Sequence, residues 1–328
     1  MNTKLTVLLA AATLLALTAP AQAAKADKPK EPAQLDRAAL IKLSDDYFAA
    51  LLAHDPKKVP LAPDLKTVEN AKRIQPGEGL WKTTSAAPTE FKIVVPDTMS
   101  QQVGGMYMIQ SDGKPAQVGF RLKVVNGKIV EAEHMIAMPR EQMLGNLQKV
   151  RPSIAMEVPY EYRDSRGRLL HIAKSYYDAL DLNNGSLAPF AADCERRENG
   201  MRTAPFGGPV AGPGIPGAPP RPPSLVGMQD CKSQLDSQAM AYIDTIDNRR
   251  VEIADELTGL ALGFSHFHHS MTAREYKIVN DPSREVNKMN FNPFDLPAMH
   301  IYKIWGGQIH EIEAMGFTAP YNSPTGWE

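Results

Sequence analysis

Two distant stretches of this chain spell nearly the same strand–turn–strand. Residues 122–135 read LKVVNGKIVEAEHM and residues 302–315 read YKIWGGQIHEIEAM, with six of the fourteen aligned positions identical. The identities are Lys123/Lys303, Gly127/Gly307, Ile129/Ile309, Glu131/Glu311, Glu133/Glu313 and Met135/Met315. A second pair of blocks, 40–70 and 169–199, aligns without a gap. It sets Tyr47 on Tyr176, Leu51 on Leu180, Pro60 on Pro189, Asp64 on Asp193, and Glu69-Asn70 on Glu198-Asn199. Collinear blocks at offsets of 129 and 180 residues mean one unit written twice, the second copy carrying about 51 extra residues. The extra residues fall in expected loops. GGPVAGPGIPGAPPRPPS (207–224) suits neither helix nor sheet, and 271–296 is polar and unpatterned.

Each copy reads the same way. Leu40, Leu43, Tyr47 and Leu51 recur at helical spacing, as do Leu169, Ile172, Tyr176 and Leu180. His54-Asp55-Pro56 and Asn183-Asn184-Gly185 end these helices. A polar strand then runs to Glu-Asn, and alternating segments follow: FKIVVPD and GGMYMIQ, then RVEIAD and GLALGFSHFHH. Hairpins turn at Asn126-Gly127 and Gly306-Gly307. Helix first and antiparallel strands after predicts an α+β fold. The expected division is a first repeat at 36–138, a linker at 139–165, a second repeat at 166–318 and a tail at 319–328.

The first 23 residues carry an early lysine, an apolar run from Leu5 to Leu17 and a small-x-small end, Ala21-Gln22-Ala23. They read as a secretory signal cleaved after Ala23, followed by a charged leader over 24–35. The expected location is periplasmic or secreted, with no membrane insertion after cleavage, because no later stretch supplies about 20 continuous apolar residues. In an oxidising compartment two cysteines, Cys194 and Cys231, make one disulfide. Net charge is −1, with dispersed lysines and arginines, so there is no electrostatic footprint for nucleic acid.

Helix, break, F-A-x-D, polar strand and a sheet closing on G-x-I-x-E together resemble the nuclear transport factor 2-like superfamily. That group includes ketosteroid isomerase, scytalone dehydratase, limonene-epoxide hydrolase and the SnoaL-like polyketide cyclases. The resemblance covers most of both copies and is closest to tandem, secreted forms. It implies two cone-shaped α+β barrels, each a curved sheet around helices, paired as a pseudo-dimer within one chain. It also implies a tyrosine on the first helix, in Tyr-x-Ala-Ala-Leu, and a carboxylate five residues past the Asp of F-A-D-D. YFAAL and YYDAL place these tyrosines at Tyr47 and Tyr176, and the count of five gives Glu69 and Glu198. The chain departs from the pattern in having Glu for Asp and no identifiable third acid, so steroid isomerisation itself is not implied.

A carboxylate in an apolar cone is pushed toward working pH by desolvation, and a phenol beside it can donate to a developing oxyanion. Glu198 is therefore the expected base and Tyr176 the expected donor, with Asn199 and His269 as orienting partners. Arg197, Phe267, His266, Tyr47 and Glu69 are the expected substrate contacts. The rival reading has Tyr176 packing its helix and Asn199 supplying a left-handed turn. On the strand GFSHFHHS, His266 and His268 share one face while Ser265, Phe267 and His269 share the other. His-x-His offers two metal ligands roughly 6–7 Å apart along a strand. No third ligand is evident in sequence, so no metal and no other cofactor is expected. The functional expectation is a cofactor-independent lyase, dehydratase or isomerase for a small apolar, aromatic or hydroxylated molecule. A non-catalytic small-molecule or protein binding module and an epoxide-type hydrolase are the alternatives.

Overall fold

The computed structural model describes residues 34–205, 230–280 and 285–328. The signal read at 1–23, nearly all of the leader and the Pro/Gly-rich insert 207–224 lie outside the described residues. The first copy runs α1 (Arg37–Leu52), β1 (Leu61–Glu69), β2 (Lys72–Ile74), the helical turn α2 (Leu80–Thr83), β3 (Thr84–Ala86), β4 (Lys92–Asp97), β5 (Gln102–Ser111), β6 (Lys114–Val125) and β7 (Lys128–Ala137). A connector holds the short helix α3 (Pro152–Ala155). The second copy begins with α4 (Arg166–Asp181), β8 (Phe190–Glu198), β9 (Met201–Ala204) and α5 (Cys231–Asp236). It continues with β10 (Thr245–Asp255), β11 (Leu260–His269), β12 (Glu275–Lys277), β13 (Val286–Lys288), β14 (Phe294–Trp305), β15 (Gln308–Gly316) and β16 (Ala319–Pro320).

The two sheets repeat one topology. The first is ordered β2-β1-β7-β6-β5-β3, with β4 also on β5; the second is ordered β10-β11-β14-β15-β8-β9, with β16 on β14. In each, the polar strand joins the last hairpin strand in parallel, β1 to β7 and β8 to β15. The chain is thus α+β, with two curled sheets, few helices and a two-repeat, barrel-like plan.

Alternation explains why both sheet faces are apolar. On β5, Tyr107 and Ile109 face α1, while Met106 and Met108 point the other way. On β14, Tyr302 and Ile304 belong to the α4 side, and Met299 and Ile301 to the opposite face. The outward faces meet in a third core that joins Ile93, Met106 and Met135 of the first copy to Leu262, Phe264 and Met299 of the second. The approach is close: a Cβ on Gly119 would lie 2.8 Å from Met299 Sδ. Arg250 of β10 also reaches across to Glu133 of β7, at 2.6 and 2.8 Å.

Cys194 of β8 is disulfide-bonded to Cys231 at the start of α5, across a separation of 37 residues. On loop-entropy grounds this bridge contributes about 3–4 kcal/mol. A Cys194→Ala/Cys231→Ala protein is expected to lose about that much unfolding free energy in a urea titration; an unchanged midpoint would refute it.

Two expectations are corrected. Residues 271–296 are not an unpatterned loop, because β12 pairs with β13 and β14 already begins at Phe294. Three-residue strands are too short to display alternation. The 319–328 tail is part of the fold: β16 pairs with β14, Ser323 bonds to Asp295, and Trp327 lies 5.1 Å beneath the Arg121 guanidinium. No helix among the described residues is long and apolar enough to cross a membrane.

Candidate functional site

Between α4 and the inner face of the second sheet lies a small cleft with a cavity volume of about 70 Å³. Its polar lining comes from Tyr176, Glu198, Asn199, Tyr242, His269 and His300, and its apolar walls include Leu180, Phe267 and Leu296. Helical spacing turns Tyr176 inward with Leu169, Ile172 and Leu180. Strand alternation turns Phe267 and His269 of β11, and Ala298 and His300 of β14, onto the same side.

Arg196 organises the polar end. It is buried, and its three nitrogens reach different partners. Nη1 donates to the Tyr176 hydroxyl at 3.3 Å, Nη2 to Gln234 Oε1 at 2.6 Å, and Nε to Thr203 Oγ1 at 2.8 Å. Nε also stands 3.4 Å from Glu198 Oε1. Gln234 sits on α5, which the disulfide ties to β8. The crosslink therefore secures the helix that steadies Arg196, and Arg196 steadies both Tyr176 and Glu198.

Burial raises the Tyr176 pKa, opposed by the positive charge of Arg196, so the phenol keeps its proton. Burial pushes His269 down to about 4; burial and then Arg196 push His300 down to about 3. Both imidazoles are neutral at ordinary pH. His300 Nδ1 meets the Tyr177 hydroxyl at 3.2 Å. His269 stacks on Phe294 at 4.2 Å, and its Nδ1 is buried without a hydrogen-bond partner among the described residues. An unpaired buried nitrogen beside a cleft is costly unless a ligand or water completes it.

Because the folded state holds these histidines neutral, their stabilisation is complete above the ordinary value near 6.5 and is lost as pH falls toward 4 and 3. Between pH 7 and pH 4, His300 alone is expected to remove about 3 kcal/mol. Urea titrations of wild type and His300→Gln check this: the variant should show the shallower acid-side decline, and parallel curves would refute it.

The first copy closes the corresponding space. Tyr47 Oη meets His134 Nε2 at 2.9 Å, and His134 Nδ1 meets Glu69 Oε2 at 3.1 Å. The same carboxylate oxygen accepts from the Leu80 amide at 3.0 Å. Trp81, fully buried, sets its ring 5.4 Å from Tyr47. Gly79, at φ +57°, permits the turn, since a Cβ there would fall 2.1 Å from Glu69 Oε1. Tyr47 and Glu69 are therefore members of a closed buried network, which corrects their reading as ligand contacts.

Tyr176, Glu198, Asn199, Phe267 and His269 all border the cleft. Asn199, however, uses its amide group on backbone: Nδ2 donates to Gly316 O and Oδ1 accepts from Gly316 N, both at 3.1 Å. Asn70 clamps Ile136 in the same way in the first copy. Asn199 thus anchors the strand end, at φ +46°, and its orienting role toward a ligand is corrected. Arg197 and His266 do not border the cleft. Arg197 donates to Glu195 Oε1 at 2.6 Å, and His266 meets Asp295 Oδ2 at 3.2 Å. Both are one residue out of step with the inward positions. Sequence reasoning missed His300, Arg196 as the organiser, and His134. His300 was discoverable from its alternation with Ala298 and Tyr302, and His134 from its alternation with Ala132.

No curated protein matches this chain in sequence. Among solved structures, it is similar to AclR from Streptomyces galilaeus, described as "a putative hydroxylase". That likeness has 18% identity over 38% of this chain and 92% of that one, at a TM-score of 0.26. It is also similar to "a putative polyketide cyclase" from silicibacter sp. tm1040, with 10% identity over 45% of this chain and 88% of that one, at a TM-score of 0.27. The family model described as Domain of unknown function (DUF8021) matches residues 33–136 and 162–316, and the chain belongs to that family.

Proposed function

We propose that the protein is an exported acid/base enzyme whose second copy converts a small, largely apolar molecule by proton transfer. In this reading each copy is a nuclear transport factor 2-like cone, and the pair is a pseudo-dimer in one chain. The observation that carries the proposal is the cleft in the second copy, which brings together the half-exposed Glu198 carboxylate, a protonated phenol and an imidazole nitrogen with no partner among the described residues, beside apolar walls. Glu198 takes a proton from carbon, and the resulting charge moves onto a substrate oxygen. Tyr176 donates to that oxygen, its own oxygen already accepting from Arg196 Nη1, so the phenolic hydrogen is free for the cleft. The proton on Glu198 then returns to another carbon, giving isomerisation, or to a departing hydroxyl, giving dehydration. His269 Nδ1 orients the ligand and Phe267 supplies an aromatic wall. The disulfide, with no free cysteine among the described residues, supports an oxidising compartment.

A second reading, a binding module without turnover, is favoured by the Arg196 contact that already gives Glu198 a charged partner. A turnover screen separates the two. The protein is incubated with hydroxylated aromatics, enones and epoxides, and the products are read by mass spectrometry. Consumption of an enone or hydroxylated aromatic supports the enzyme. Compounds that co-elute with the protein unchanged would replace it with the binding module.

A further inference from the structure

On the other face of β11 the fold completes a set of ligands that the sequence left at two. His266 and His268 stack at 4.9 Å, with planes 13° apart. Asp295, on β14, lies opposite His268 in the antiparallel register and is fully buried. Its Oδ2 is 3.2 Å from His266 Nε2, and its Oδ1 is 2.9 Å from His268 Nδ1. One ligand atom from each of the three residues lies within 4.8 Å of the others. Ser323, from the C-terminal segment, brings its hydroxyl to 3.2 Å from both His266 Nε2 and Asp295 Oδ2. We propose that His266, His268 and Asp295 bind one divalent first-row transition ion, such as zinc or cobalt, with the Ser323 hydroxyl and water available for the remaining positions.

Three features favour an ion here. First, two imidazole nitrogens and one carboxylate are a recurrent donor set for such metals, and these three converge from two neighbouring strands. Second, the far nitrogen of His268 is already oriented: Nε2 stands 3.1 Å from Asp247 Oδ2. Metal-bound histidines commonly donate their other ring N–H to a carboxylate in this way. With Nε2 turned to Asp247, Nδ1 is the ring nitrogen that faces Asp295, 2.9 Å from its Oδ1. Third, no arginine or lysine is among the partners of the Asp295 carboxylate in the described residues; histidines and Ser323 surround it. A buried carboxylate ordinarily requires a cation or a metal. The ion would tie β11, β14 and the C-terminal segment together on the face turned away from the cleft.

Chelator-treated protein is dialysed into metal-free buffer and titrated with cobalt(II) chloride and zinc chloride, followed by calorimetry and, for cobalt, by visible absorption. One equivalent should bind at micromolar or tighter affinity. Cobalt should show the ligand-field absorption of an ordered site. His268→Ala and Asp295→Asn should each weaken binding by at least about tenfold. His171→Ala, which removes an exposed histidine on α4, should change nothing. His268 is at the rim, with 17% of its side chain exposed, so its variant should retain the fold, as far-UV circular dichroism will report. No uptake by the wild type, or equal uptake by wild type and the folded His268→Ala protein, would overturn the assignment.

Discussion

Glu198→Gln is expected to lower kcat by roughly 10²–10⁴ on any substrate the cleft turns over, with little change in KM. The substitution keeps the size and hydrogen-bonding shape of the side chain and removes only its capacity to take a proton. The amide oxygen can occupy the place the carboxylate oxygen holds 3.4 Å from Arg196 Nε, whose N–H already goes to Thr203 Oγ1. Tyr176→Phe should also lower kcat, by a factor on the order of 10²–10³, since it deletes one donor to the developing oxyanion. It leaves Arg196 Nη1 without its phenolic acceptor at 3.3 Å, so its fold must be checked beside its rate. Glu69→Gln is the internal control. Glu69 belongs to the closed network with His134 and Leu80, and its variant should turn over within about twofold of wild type. Equal losses in Glu69→Gln and Glu198→Gln would place the chemistry in both copies or in neither.

Arg151→Ala should cost about 3–5 kcal/mol of unfolding free energy, the largest single-residue stability effect expected in this molecule. Arg151 projects from the connector onto the outward face of the second sheet, where Glu195, Glu311 and Glu313 are all buried. Its Nη1 lies 3.1 Å from Glu313 and 3.3 Å from Glu195, and its Nε bonds to Glu311 together with Ser153 Oγ. Removing it leaves three carboxylates to the Arg197 side chain, which already serves Glu195. Burial, against the pull of Arg151, already raises Glu313 to about 7 from an ordinary 4.5. The folded state thus prefers the protonated acid: stabilisation from that preference is complete below about pH 4.5 and is lost as pH rises through 7. Glu313→Gln should therefore gain on wild type by about 2–3 kcal/mol between pH 5 and pH 8, measured by urea titration at both values. The Arg151→Ala deficit should be deeper at pH 8 than at pH 5. A Glu313→Gln difference independent of pH would refute the burial account.

The repeat made much of this plan legible. A strand–turn–strand written twice required two equivalent sheets, and alternation within GFSHFHHS by itself separates the two histidine faces. The duplicated Glu131/Glu311 and Glu133/Glu313 lay in plain view, yet their partners did not. Arg250 reaches Glu133 from 117 residues away, and Arg151 reaches Glu311 from 160. Such pairings depend on how two sheets meet, which spacing along one chain does not encode. Asp295 was hidden from His268 by the register of two neighbouring strands, and Gln234 from Arg196 by where α5 packs on β8. Within the cleft, Tyr176 and Glu198 were readable because they repeat. Arg196 has Thr67 as its counterpart, so the repeat gave it no emphasis, and His300 corresponds to Phe120.

The face-to-face packing of the two sheets has a consequence for how such a molecule can change. Two identical chains meeting across that face would receive every substitution twice, so filling one hollow would fill the other. Joined in a single polypeptide, the halves are free to drift apart. One can seal its interior with Trp81 and a Tyr–His–Glu chain and become a rigid buttress. The other can keep its hollow and line it with His269 and His300, with Arg196 held at its polar end.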